Sequence, residues 1–263
     1  MNPHLITWHF KKPFYSWKNK YLKRIAHKEA QADESLAKAA EEVAQYLGQP
    51  PAEVLERYRR GNFQEKEFFT GPGRLSTDAV EQYYRKNKTY IYDLPLWNAE
   101  FNRPKFLHRV MRSKLKQCRC QSVLDFGGGC GDLCIELAQG GFQTVYFDLG
   151  EQVFDFAQRR FAQRKLAVEM FKDWRELGAR QFDCVISFDV FEHIKDLPAT
   201  LSRLCGFIKS GGLLIFSGAF SGGGAHLTEN EVYADRKNMM RLLGEFGLEF
   251  LDQFNQYSFY KKR

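Results

Sequence analysis

Two hydrophobic rhythms divide the chain. From residue 122 onward, short apolar runs rich in Val, Ile and Phe occupy 123–126, 144–147, 167–170, 184–188 and 213–217. Helical patterns fill the gaps at about 130–139, 151–164 and 197–208. Strands and helices alternating in this way predict a parallel sheet covered on both faces. A further helix over about 233–245 ends near Gly247, and strand-like runs follow at 248–254 and 257–260. Only Asn255 and Gln256 separate those two runs, which permits an antiparallel hairpin and forbids a parallel crossover.

Before residue 116 the pattern is helical. Residues 33–47 read as an amphipathic helix, with Asp33 or Ser35 able to cap its start and Gly48 to end it. Pro51 suits the first turn of a second helix ending near Gly61. Gly71-Pro72-Gly73 is a loop, and Ser76 or Thr77 can cap a third helix through about Asn87. A fourth runs from about Pro104 to Lys116. The stretch from Tyr90 to Trp97 is dense in aromatics and interrupted by Pro95, and it is predicted not to be an ordinary helix. The chain thus divides into a helical arm and cap over 1–115 and an α/β domain over 116–263.

Composition changes this picture in three ways. The 24 Phe and 12 Tyr exclude a disordered chain. No apolar run is long enough to span a bilayer, and the start lacks the apolar core of a signal peptide, so a cytoplasmic location is expected. There the six cysteines stay reduced. Their spacing does not make two CxxC pairs, so no metal site is predicted. The formal charge of +7 is uneven: residues 1–115 hold 21 Lys+Arg against 13 Asp+Glu, and residues 116–263 hold 18 against 19. Residues 1–28 carry seven basic residues, no acidic one, and Trp8, Phe10, Phe14, Tyr15, Trp17 and Tyr21. Such a segment either packs its aromatics on the domain or lies on nucleic acid or an anionic membrane surface.

The densest chemistry is in 123–133, VLDFGGGCGDL. An apolar strand runs into Asp125, and Gly127, Gly129 and Gly131 then alternate before a helix. Glycine here lets the backbone turn sharply and approach a ligand closely. The third glycine of a dinucleotide loop is replaced by Asp132, and no phosphate-binding G-x-x-x-x-G-K-[ST] occurs. The loop therefore suits a nucleoside ligand without a pyrophosphate.

This segment resembles the first motif of class I S-adenosylmethionine-dependent methyltransferases, and the resemblance extends over 116–263. It implies a Rossmann-like, doubly wound sheet of seven strands in the order 3-2-1-4-5-7-6, the last antiparallel, under an N-terminal helical cap. It implies S-adenosylmethionine as cofactor. Asp148, 21 residues after Gly127 and followed by Leu149, matches the family's acceptor for the ribose hydroxyls. Asp173, beside Trp174, resembles the residue that accepts from the adenine amino group; an N-cap is the other reading of Asp173. The segment from Asp189 to His193 is similar to the family's floor of the cofactor pocket. Ser210 stands where the family usually has proline.

The methyl acceptor is not identified. A hydroxyl or amine acceptor has to lose a proton, and His193 and His226 fall after the fourth and fifth strands, where either could act as general base. Tyr90, Tyr92 and Trp97 either line the pocket or form the seam between cap and core. A small-molecule acceptor (a metabolite, sugar or lipid-linked intermediate) is expected. The alternatives are a nucleic-acid or protein substrate docked on the basic arm, and a non-catalytic binding module. Asp189-Val190-Phe191-Glu192 stands where amino-methylating nucleic-acid enzymes carry N/D-P-P-[FYW], which counts against the polymer reading.

Overall fold

A computed structural model of the chain describes residues 33–60, 77–100, 103–220 and 225–263. The basic segment 1–28 and the Gly222–Gly224 run lie outside them.

Among the described residues, five helices precede the first strand: α1 (Asp33–Leu47), α2 (Pro51–Arg60), α3 (Thr77–Lys86), α4 (Tyr90–Glu100) and α5 (Arg103–Gln117). Strands and helices then alternate through β1 (Ser122–Phe126), α6 (Asp132–Gln139), β2 (Gln143–Phe147), α7 (Glu151–Gln163), β3 (Val168–Phe171), α8 (Trp174–Leu177), β4 (Phe182–Phe188), α9 (Leu197–Gly206) and β5 (Ile208–Ser217). Helix α10 (Arg236–Glu245) and the hairpin β6 (Leu248–Phe254) and β7 (Tyr257–Lys262) close the fold. Short 3-10 turns follow β4 (Phe191–His193) and β5 (Thr228–Ala234).

The seven strands form one sheet in the order β3-β2-β1-β4-β5-β7-β6. The first five are parallel, and β7 runs antiparallel to both β5 and β6. This is the order that the family resemblance implies. The central strands are buried on both faces, as their unbroken apolar runs require. Strand order reverses between β1 and β4, and in open α/β sheets the crevice at that point binds ligands.

One expectation fails. Residues 90–97 are helical, in α4, with Pro95 inside it. The Asn87 side-chain oxygen accepts from the backbone N–H groups of Thr89 and Tyr90, at 2.8 and 2.7 Å, and so caps the start. Pro95 removes one helical hydrogen bond at a cost of about 3 kcal/mol. Against that, Ile91, Tyr92 and Leu96 are buried against α1, α2, Cys130, Val153 and Phe156, and each such burial contributes about 1.5–3 kcal/mol. Packing therefore overrides local propensity.

The same cluster ties the early helices to the sheet domain. Arg160 of α7, 7% exposed, strengthens the tie. Its guanidinium donates to Glu42 of α1 at 3.1 Å, to Asp132 at 2.8 Å and to the Cys130 carbonyl at 2.5 Å. Its two carboxylate partners raise its pKa, so it stays charged despite burial.

Candidate active site

A cleft of about 1230 Å³ opens at the carboxyl ends of β1, β2 and β4. Its walls include Tyr84 of α3 and Tyr90, Leu94 and Trp97 of α4. Helices α3 and α4 thus cover the switch point of the sheet.

The floor is the loop between β1 and α6. The N–H groups of Gly127 and Gly128 donate to the Phe147 carbonyl at 2.8 and 3.1 Å, which pins the loop to β2. Gly127 has φ +77, and a Cβ there would meet Val190 at 2.3 Å. Only glycine fits both constraints. Gly129 donates its N–H to Asp148 at 2.8 Å, and its carbonyl accepts from the Tyr146 hydroxyl at 2.6 Å. Gly131 faces α7 instead, where a Cβ would strike the Phe161 ring at 2.6 Å.

Asp148 directly follows β2 and lines the cleft. One oxygen accepts from Gly129 and the other from Gly150, each at 2.8 Å. Burial pushes its pKa above the ordinary value, against the pull of the Gly150, Gly129 and Leu149 N–H groups. Leu149 and Val153 continue the wall beside it.

The sequence-predicted residues sort into two groups. Gly127, Gly129, Asp148, Leu149, Asp173, Trp174, Asp189, His193 and His226 all line the cleft. Asp125 and Gly131 lie behind it. The Asp125 side chain is 4% exposed and accepts from the Cys134 thiol at 3.2 Å. Burial pushes its pKa up to about 7, with the Cys134 hydrogen bond opposing. Its place is under the loop, because the pleat of β1 turns it toward α6.

Asp173 is the N-cap of α8 and accepts from the Arg175 N–H at 2.8 Å. The Arg175 guanidinium also pairs with it, and these bonds hold its pKa down to about 2. Trp174 packs on Phe126 and Phe147, with ring centroids 4.8 and 5.1 Å away. The aromatic stretch of α4 divides in the same manner. Tyr90 and Trp97 line the cleft, while Tyr92 is buried in the seam, donating to Gln49 at 2.8 Å.

At the other end, Asp189 has a left-handed φ of +56 and accepts from the Ser217 hydroxyl at 2.8 Å. Such backbone strain collects at functional sites. His193 follows in the 3-10 turn, and His226 arrives from beyond β5, their ring centroids 4.9 Å apart. His193 Nδ1 lies 3.0 Å from the Ala225 carbonyl, which can only accept. Nδ1 therefore carries the proton and Nε2 the lone pair. Burial lowers the His193 pKa to about 4, so the ring is neutral at pH 7.

Two cleft residues had no role of their own assigned from the sequence. Tyr84 places its ring 4.9 Å from His193; its only signal was an aromatic pair in an otherwise polar helix. Glu192 stood within the 189–193 segment that resembles the floor of the cofactor pocket, and it lines the cleft. Its side chain is 1% exposed and accepts from the Ala219 N–H at 2.8 Å.

A family model described as a methyltransferase domain matches residues 74–252. A Geobacillus sp. (strain WCH70) protein named as a methyltransferase is 34% identical over 115 residues, covering 40% of this chain and 47% of that protein. The ubiquinone biosynthesis O-methyltransferase of Stutzerimonas stutzeri (strain A1501) is 32% identical over 106 residues, covering 37% of this chain and 44% of its own length. The chain thus spans about half the length of the curated relatives it matches. Among solved structures, magnesium protoporphyrin IX methyltransferase from Synechocystis PCC 6803, with bound SAH, aligns at a TM-score of 0.52 and 20% identity. That alignment covers 71% of this chain and 99% of the other, and it establishes the fold. With this topology, a glycine loop at the switch point and a family model spanning most of the sheet, the chain belongs to the methyltransferase-domain family, the class I S-adenosylmethionine-dependent enzymes.

Proposed function

We propose that the chain binds S-adenosylmethionine against Asp148 and the glycine loop and methylates a hydroxyl of a small-molecule acceptor. The carrying observation is that one cleft runs from Asp148 to the His193–His226 pair. Its volume of about 1230 Å³ exceeds the roughly 300–1,000 Å³ of a single small-ligand site. That leaves room for a cofactor and a compact acceptor together, with α3 and α4 as the lid.

The residues present fit the cofactor. Each Asp148 oxygen accepts one backbone N–H and keeps a lone pair for a ribose hydroxyl. Phe126, Leu149 and Trp174 offer apolar surface for the adenosine, and Asp173 stands at the rim. Bound there, S-adenosylmethionine supplies a methyl group already activated by its sulfonium. The protein's share is orientation, exclusion of water and removal of the acceptor's proton. His193 and His226 stand where that proton leaves. The names of relatives such as the Stutzerimonas O-methyltransferase favour an oxygen acceptor.

Calorimetry with S-adenosylmethionine and S-adenosylhomocysteine tests the cofactor half. Micromolar binding, about −8 kcal/mol, is expected for the parent. Asp148→Ala loses two charge-assisted ribose contacts and should bind about 100-fold more weakly. Equal affinity in the two proteins would remove Asp148 from the site.

A further inference from the structure

We propose that Glu192, His193 and His226 form a site for one divalent first-row transition ion, zinc or its neighbours, at the acceptor end of the cleft. One ligand atom from each lies within 4.8 Å of the others. Donors around a tetrahedral ion stand about 3.4 Å apart, so side-chain rotation of about 1 Å would complete the shell.

The first observation is an orphaned oxygen. Glu192 is 1% exposed, and its Oε1 accepts the Ala219 N–H, yet its Oε2 is buried without a hydrogen-bond partner. A buried carboxylate oxygen left unpaired is costly, and a cation beside it would remove that cost. The main chain closes one side, since a Cβ on Gly218 would come within 2.9 Å of Oε2. A carboxylate oxygen of Glu192 lies within 4.8 Å of a ring nitrogen of each histidine.

The second observation is the set of outer contacts. His193 donates through Nδ1 to the Ala225 carbonyl, leaving Nε2 to bind. A metal-bound histidine is ordinarily fixed by just such a bond from its other nitrogen. The two segments that carry the ligands are also locked together. The Leu227 N–H donates to the Glu192 carbonyl at 2.9 Å, and the buried Asn230 amide donates to the carbonyls of Phe191 and Ile194 at 3.1 and 2.8 Å. The site is therefore preorganised in the fold.

Two imidazoles and one carboxylate suit zinc, iron or manganese better than calcium or magnesium. Three protein ligands on the wall of an open cleft leave a position for an exogenous oxygen, the pattern of a catalytic site. Only its catalytic role rests on the methyl-transfer reading. In that role the ion lowers the pKa of the acceptor hydroxyl, whose proton passes to water while the oxygen keeps the electron pair. The histidines then serve the loss of that proton as ligands to the ion rather than as the base itself. The expectation of no metal site came from the cysteines; these ligands come from two segments 33 residues apart.

The test is a calorimetric titration of the chelator-treated full chain with Zn²⁺ alone, followed by Co²⁺ absorption spectra. One Zn²⁺ per chain at micromolar affinity or tighter is expected, with visible Co²⁺ bands of low coordination number. His226→Ala and Glu192→Gln should each weaken Zn²⁺ at least about 100-fold. His226→Ala, the half-buried position, should keep its circular dichroism, so its loss of metal cannot be assigned to unfolding. Millimolar binding by the parent, or an unchanged titration in His226→Ala, overturns the site. A parent that binds Zn²⁺ but not S-adenosylmethionine would sink the methyltransferase reading and leave the metal site standing.

Discussion

The two ends of the cleft are built by different means. At the cofactor end the main chain does the holding: Gly127 and Gly128 hang on the Phe147 carbonyl, and the Gly129 and Gly150 N–H groups clasp Asp148. At the acceptor end side chains from α3, the turn after β4 and the segment after β5 converge, with Tyr84, Glu192, His193 and His226 within ring or ligand distance. A backbone-built site needs particular residue types at fixed spacing. A side-chain-built site can be assembled from whatever the loops bring. On the proposed reading, the first kind holds the cofactor and the second kind the acceptor.

The largest expected effect falls on the tie between cap and cofactor loop. Arg160→Met leaves Glu42 and Asp132 without their buried partner, and should cost about 3–5 kcal/mol of stability. Urea denaturation reads it. A change below about 1 kcal/mol would show that the loop stands without the cap.

Next comes the carboxyl beneath the loop. Asp125 has its folded pKa raised to about 7 from an ordinary 3.8. The native state then binds the extra proton, so this group's stability is full below pH 3.8 and is lost as pH rises to about 7. Asp125→Asn should abolish that loss, worth on the order of 3 kcal/mol between pH 4 and pH 8. His193 works oppositely: its folded pKa is lowered to about 4, so it destabilises the fold as pH falls from about 6.5 to 4. Denaturation across pH in Asp125→Asn isolates the two, and an unchanged slope would refute the buried acid.

A smaller effect is expected at the cap of α4. Asn87→Ala removes the acceptor for Thr89 and Tyr90, and a loss of about 1 kcal/mol in thermal or urea denaturation should follow. The smallest change belongs across the cleft. His226→Ala should leave S-adenosylmethionine affinity within about twofold of the parent, since distant sites are nearly additive. A tenfold change by calorimetry would mean that the two ends are coupled.

Legibility followed the same division. The alternation of strands and helices, the glycine loop and the position of Asp148 were readable, because alternation and spacing are local properties of the chain; the strand order came only with the family resemblance. Gly131 was readable as a glycine but not as a packing residue, since its need comes from Phe161 on another helix. Helix α4 was misread because its stability comes from burial against α1 and α2, while local rules see only Pro95. Asp173 was left between ligand and cap, and the structure shows the cap. Glu192 was readable as part of the pocket floor but not as a buried carboxylate with an orphaned oxygen, which appears only once the chain is folded.

Glu42 and Arg160 are 118 residues apart in sequence and share one ion pair. A chimaera that borrowed its first helix from a relative would inherit the shape without the counter-charge, and would leave a buried guanidinium with Asp132 as its one remaining carboxylate. Any graft that replaces α1 in this chain therefore demands that a carboxylate travel with it.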